Sequence, residues 1–231
     1  MPPPPPHTPC TPRPAKAAAK REKRLDKDVE GEEIDVELPP EGEEIAPDVL
    51  LAMVAQLHEQ FEATLGDGSR FGVRLHYSHE GERFGQALET GGGIATALDL
   101  LCADGDDAFW AVSADIFMPE FVFDMAQAKT FAESALLAHL WFVPKQPRHP
   151  SGDFGIDAQG FATLDGDKQV YSNIGLYKRA FFDGVKPGVH ERIRVALDRA
   201  IAARAVSAEI YEGPWVNVGA VDQLEELNAV R

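Results

Sequence analysis

The sequence predicts a Rossmann-like α/β fold: a mixed, mostly parallel sheet with flanking helices. Three observations predict it. A glycine run, Gly91-Gly92-Gly93, precedes a segment of helical period over 94–101. An apolar strand over 108–113 follows and runs into Asp115. The rest of the chain alternates short apolar runs with helical spacings. Three glycines lose the most backbone entropy on folding and bury nothing, so they read as a loop rather than a helix. Such a loop lets the backbone approach a flat or phosphorylated ligand, with N–H groups exposed where the next helix begins. A carboxylate at a buried strand's end, about twenty residues on, stands where open α/β sheets place their ligand chemistry.

The elements follow in order. Leu50, Leu51, Val54, Leu57, Phe61 and Leu65 recur at helical spacing, which predicts a helix over 48–65 ended by Gly66-Asp67-Gly68. Alternation over 71–77 predicts a strand, and 94–101 and 108–113 give a helix and a buried strand. A helix over 121–131 and a buried strand over 136–143 come next. Two short runs around residues 157–160 form a hairpin. A strand over 170–177, a helix over 190–204, an extended segment over 211–218 and a helix over 222–230 complete the chain.

Residues 1–46 differ from everything after them. They hold ten of the 17 prolines, few large apolar side chains, and a basic run (Arg13 to Lys27) followed by an acidic one (Asp28 to Glu37). Such a segment buries too little to offset its ordering entropy and is expected to be disordered, with residues 47–231 as the folded domain. Residues 34–38 alternate like a strand but sit among acids. The net charge of −16 argues against a nucleic-acid partner, because that surface repels phosphate backbones. A small phosphorylated ligand remains compatible if a cation offsets the charge. Cys10 and Cys102, far apart and without C-x-x-C spacing, indicate neither a disulfide framework nor a cysteine zinc site. With no apolar signal region and no run long enough to cross a bilayer, the expected location is the cytoplasm, with no membrane partner. His76 and His79 lack a third ligand in view and read as surface or pocket-rim residues.

Six segments carry a family resemblance by their order and separation. They are residues 65–72 (LGDGSRFG), 88–94 (LETGGGI), 112–117 (VSADIF), 152–157 (GDFGID), 171–177 (YSNIGLY) and 215–219 (WVNVG). In this order the chain over 57–231 resembles sugar-1-phosphate nucleotidyltransferases. It is most similar to bacterial N-acetylmuramate-1-phosphate uridylyltransferases and the related mannose-1-phosphate guanylyltransferases. The resemblance implies a nucleotide-diphospho-sugar transferase fold. It also implies coupling of a nucleoside triphosphate, UTP rather than GTP, to a sugar 1-phosphate with release of pyrophosphate, in cell-wall precursor recycling. In such chemistry the protein positions two anions and neutralises developing charge, with the help of Mg2+.

By the same resemblance Asp115 is the catalytic carboxylate and a Mg2+ ligand, with Asn217 as the second ligand. Glu89, Thr90, Gly91 and Gly92 meet the nucleotide, and Gly155, Gly175 and Trp215 line the sugar pocket. Each also has a plainer reading: a strand-end cap for Asp115, strand glycines or bulges for Gly155 and Gly175, and core for Trp215.

Three departures from the pattern stand out. Ala114 replaces the usual glycine before Asp115. Asn217 stands where the family has aspartate, so its carbonyl offers the metal an oxygen without charge. No L-A-A-G-x-G-x-R-x-x-P-x-T loop, which grips the triphosphate with N–H groups and cations, is present in the 231 residues. A frameshifted or misassigned start would account for that. Two expectations follow. Activity is impaired, with an inactive nucleotide-sugar-binding remnant of the fold as the alternative. The sheet lacks an inner strand, leaving an unpaired edge and an aggregation-prone core.

Overall fold

The computed structural model describes residues 49–54, 58–103 and 105–229. The expectation for residues 1–46 and the domain boundary at 47 therefore lie outside the described residues. The chain opens with strand β1 (Val49–Val54), helix α1 (His58–Leu65) and strand β2 (Arg74–His79). β1 and β2 form a parallel pair with Val49 opposite Arg74 and Val54 opposite His79. This corrects the helix expected over 48–65. A six-residue apolar run fits either period, and here pairing along β2 decides it in favour of a strand.

Helix α2 (Glu80–Phe84) leads to α3 (Glu89–Leu101), which includes all three glycines. The glycines are thus the opening turns of a helix and not a loop before it. What offsets their helix cost is close packing. A Cβ on Gly92 would lie 2.0 Å from the Val189 carbonyl oxygen, and one on Gly91 would lie 2.7 Å from that of Glu191. Gly92 N–H donates to Glu191 O at 3.0 Å, and Glu191 N–H donates to Leu88 O at 3.0 Å. Only bare backbone allows segment and helix to meet this closely.

The remaining elements are β3 (Ala108–Val112), β4 (Ile116–Phe117), α4 (Met125–Glu133), β5 (Ala138–Val143), β6 (Gly155–Ile156) and β7 (Ala162–Thr163). After them come β8 (Val170–Lys178), α5 (Ile193–Ala202), β9 (Val206–Ile210), β10 (Val216–Asn217) and α6 (Val221–Ala229). The central sheet runs β3-β8-β5-β9. β8 is antiparallel to both β3 and β5, while β5 and β9 are parallel, so the sheet is mixed. Successive side chains of β5 serve opposite faces. Leu140 and Phe142 join Ile94 and Ala95 of α3 and Ala196, Leu197, Ala200 and Ile201 of α5. Trp141 turns the other way, onto Phe131 of α4, Ile174 and Leu176. Leu140 and Phe142 are fully buried, each contributing about 1.5–3 kcal/mol over an exposed side chain.

Among the described residues, the outer edge of β3 pairs with no strand. Its sequence, Ala-Phe-Trp-Ala-Val, has high strand propensity and no charge, and Val112 at its end is exposed. Such an edge is a template for chain-to-chain pairing. Val112→Lys is therefore expected to slow aggregation at 37 °C, read by light scattering, with the melting temperature unchanged.

The α4 face of β5 and β9 holds a half-buried histidine. His139 Nδ1 lies 2.7 Å from Ser207 Oγ, and its Nε2 lies 3.8 Å from the Glu209 carboxylate and 3.4 Å from Gln127 Nε2. Glu209 also accepts a hydrogen bond from Trp141 Nε1. Burial pushes the His139 pKa below the usual 6.5, outweighing the upward pull of Glu209. The unfolded chain thus takes up this proton before the folded one does. Stability is full above about pH 6.5 and falls as pH drops towards the folded value, by at most about 1.4 kcal/mol per pH unit. Urea unfolding at pH 7.5 and 5.5 is expected to show that loss, and His139→Gln to reduce it.

Candidate active site

The strand ends around β3, β8 and β10 carry the candidate residues. Leaving β3, the chain turns over residues 113–116, where Ile116 N–H donates to Ser113 O at 3.2 Å. Ser113 N–H donates to Asn173 O at 3.1 Å, fixing the turn against β8. β4 then pairs antiparallel with β10, Ile116 opposite Asn217, and Val218 N–H donates to Asp115 O at 2.7 Å. Asn217 is thus directly opposite Ile116, and Asp115 lies against Val218, so the backbones of Asp115 and Asn217 meet one register position apart. Trp215, just before β10, donates its indole N–H to Ser172 O at 3.1 Å and ties that arm to β8.

Asp115 is exposed, and among the described residues neither its carboxylate nor the Asn217 amide has a side-chain partner. A Cβ on Gly219 would come within 3.3 Å of Asn217 Oδ1, so glycine there leaves that oxygen uncrowded. Among the described residues no three acidic, histidine or cysteine side chains are placed to hold a metal. One carboxylate and one amide oxygen suit Mg2+, which keeps several waters and completes its octahedron with substrate phosphates. They do not suit a tightly held structural cation.

Glu89 and Thr90 are exposed at the start of α3, apart from this pair. The turn into the helix is fixed from below, where the buried Glu80 carboxylate accepts Leu88 N–H at 2.9 Å. Glu89 has φ 60°, a left-handed conformation that costs a non-glycine residue about 1–3 kcal/mol. Its carboxylate lies 3.5 Å from His190 Nε2 and 4.0 Å from Arg192 Nε. Gly91 and Gly92 are buried beneath residues 189–191, so Glu89 and Thr90 are the open part of this segment.

Gly155 and Gly175 also approach this chain's own atoms. A Cβ on Gly155 would lie 2.4 Å from Asp165 O, and one on Gly175 would lie 2.8 Å from the Tyr177 ring. The sequence reading passed over Asn173. It has φ 63° inside β8, beside the point where the β5–β8 register shifts, and no hydrogen bond engages its amide among the described residues. Asparagine tolerates this conformation better than most residues, and strained bulges recur where a strand re-aims a side chain. The visible signal was an asparagine two residues from a glycine inside an otherwise apolar strand.

Comparison with known proteins decides the family. The chain is 34% identical over 180 residues to an N-acetylmuramate alpha-1-phosphate uridylyltransferase of Neisseria meningitidis serogroup B, covering 76% of this chain and 75% of that protein. The chain belongs to the sugar-1-phosphate nucleotidyltransferases. No protein-family model matches it. Among solved structures, a Bacillus anthracis protein described as a glucose-1-phosphate thymidylyltransferase superposes with TM-score 0.61 at 15% identity, over 78% of this chain and 74% of that one. HddC from Yersinia pseudotuberculosis superposes with TM-score 0.59 at 10% identity, over 80% and 79%. At these identities the two structures speak for the fold: the mixed sheet with helices on both faces is that of the nucleotidyltransferases. Among the described residues of this nucleotidyltransferase, no helix is long and apolar enough to cross a membrane.

Proposed function

We propose that this nucleotidyltransferase transfers a uridylyl group from UTP to an amino-sugar 1-phosphate such as N-acetylmuramate 1-phosphate, in the cytoplasm, for the recycling of cell-wall precursors. A phosphate oxygen of the sugar 1-phosphate attacks the α-phosphorus of UTP. The bond from that phosphorus to the bridging oxygen breaks, and pyrophosphate leaves with the electron pair. The observation that carries this reading is the β4–β10 pairing, which brings the backbones of Asp115 and Asn217 within one register position of each other, both side chains unengaged among the described residues. The identity to a uridylyltransferase favours UTP over GTP.

Asp115 and Asn217 would hold Mg2+, whose charge offsets that of the phosphates. Glu89 and Thr90 would meet the base and ribose, with Gly91 and Gly92 setting the helix close behind them. Asn173 and Trp215 would face the sugar, while Gly155 and Gly175 let the strands nearby pack closely on Asp165 and Tyr177. Turnover is slow in this reading, because Asn217 brings no charge and the 231 residues carry no L-A-A-G-x-G-x-R-x-x-P-x-T loop. The same neutral Asn217 favours a second reading, a protein that binds the UDP-sugar without making it.

A Mg2+ titration of turnover separates the two. Asn217→Asp is expected to lower the Mg2+ concentration at half-maximal rate several-fold and to raise the rate. No turnover in either protein, with UDP-sugar binding by calorimetry, would establish the second reading.

A further inference from the structure

We infer that Arg148 binds the phosphate of the sugar 1-phosphate, moving to it from a resting contact with Asp222. The inference rests on the function proposed above and extends it to a residue outside the six segments that define the resemblance. A chain of net charge −16 must find local cations for two phosphorylated substrates. The loop leaving the C-terminal end of β5, residues 144–153, holds three basic side chains: Lys145, Arg148 and His149.

Two of the three are committed. Lys145 Nζ lies 2.5 Å from Asp167 Oδ1, and His149 Nε2 lies 3.1 Å from Asp153 Oδ1. The other Asp153 oxygen accepts Tyr171 N–H at 3.0 Å, which anchors the loop to β8 two residues before Asn173. Arg148 differs. Among the described residues its one ion pair is with Asp222, 3.7 Å from Oδ2 and beyond hydrogen-bond length, with both side chains more than 60% exposed. An exposed pair of that kind contributes about 0–1 kcal/mol, so releasing it costs little.

The loop's geometry sets Arg148 against the segment that follows β10. His149 N–H donates to Gln146 O at 2.9 Å, closing a turn with Pro147 in its second position and Arg148 in its third. Proline pre-sets that backbone and holds Arg148 at the tip. Asp222 lies in the first turn of α6, and the neighbouring Gln223 accepts Gly219 N–H at 2.9 Å. Gly219 follows Val218, which is bonded to Asp115 O. Arg148 thus lies beside the segment that begins at Asn217 and runs into α6. The loop runs on into Gly155 on the sugar side, so the phosphate within its reach is the one on the sugar. A guanidinium grips such a phosphate through two parallel hydrogen bonds.

Calorimetry on the full chain with N-acetylmuramate 1-phosphate, and separately with UTP, tests this. Arg148→Ala is expected to weaken sugar 1-phosphate binding about 10- to 100-fold, the loss of a charged hydrogen-bond pair. UTP binding and the melting temperature should stay unchanged. Arg148→Lys should recover part of the loss, and Asp222→Asn should tighten sugar 1-phosphate binding by freeing the guanidinium. Unchanged affinity in Arg148→Ala would overturn the inference and leave the proposed function standing. Failure of the wild-type chain to bind the sugar 1-phosphate would overturn both.

Discussion

Asp115→Ala is expected to reduce magnesium-dependent nucleotidyl transfer roughly 100- to 1,000-fold, the scale seen when one preorganised electrostatic group is removed from a reaction centre. The argument is one of charge. At the proposed metal position Asp115 brings a carboxylate, exposed and without a side-chain partner among the described residues, while Asn217 brings a neutral oxygen. Without Asp115 a cation at the triphosphate has only that amide from the protein, and the phosphates lose their fixed point. The backbone of the turn does not depend on the side chain, since Asp115 meets Val218 through its carbonyl. The variant should therefore fold like the wild type, and kcat measured over a range of Mg2+ concentrations is the readout. Turnover within threefold of wild type would remove Asp115 from the metal site.

Gly92→Ala is expected to destabilise the domain by about 3 kcal/mol or more, towards or beyond the upper end for overpacked sites. The added methyl would sit 2.0 Å from the Val189 carbonyl oxygen, which is backbone and cannot rotate away. Separating α3 from residues 189–191 would also break the hydrogen bond from Gly92 to Glu191 O and strain that from Gly188 N–H to Thr96 Oγ1, 2.8 Å. A fall in melting temperature of about 6–12 °C corresponds to 3 kcal/mol in a domain of this size. Thr90→Ala, two residues away and exposed, should shift it little. A Gly92→Ala protein as stable as wild type would mean that the segment does not lie where the structure places it.

These glycines also show what the sequence made legible. Their importance was plain, and the reason was misread: three bare residues signal close approach, but not whether the approaching atoms belong to a ligand or to the chain itself. Gly155 and Gly175 follow the same rule, with Asp165 and Tyr177 filling the space a side chain would take. Apolar runs exposed β3, β5 and β8 because buried strands of an α/β sheet are rich in aromatic and branched residues. It missed β9, whose Val-Ser-Ala-Glu-Ile is too polar to stand out until paired with β5. The run at 49–54 was placed on a helix because a short apolar stretch satisfies both periods, and only its partner β2 distinguishes them. The meeting of the Asp115 and Asn217 segments was expected from the order of segments, since residues a hundred apart meet only once strand order is known, and β4 does pair with β10. Arg148 gave no signal, because a lone arginine in a proline-containing loop is ordinary until its neighbours in space are seen.

The most direct test of the proposed function is pyrophosphate release by the purified full-length chain, with UTP and N-acetylmuramate 1-phosphate, compared with Asp115→Ala. The reading predicts slow, Mg2+-dependent release that requires both substrates, is faster with UTP than with GTP, and is lost in the variant. Release that is indifferent to Asp115, or no binding of UTP, sugar 1-phosphate or UDP-sugar by the wild-type chain, would contradict it.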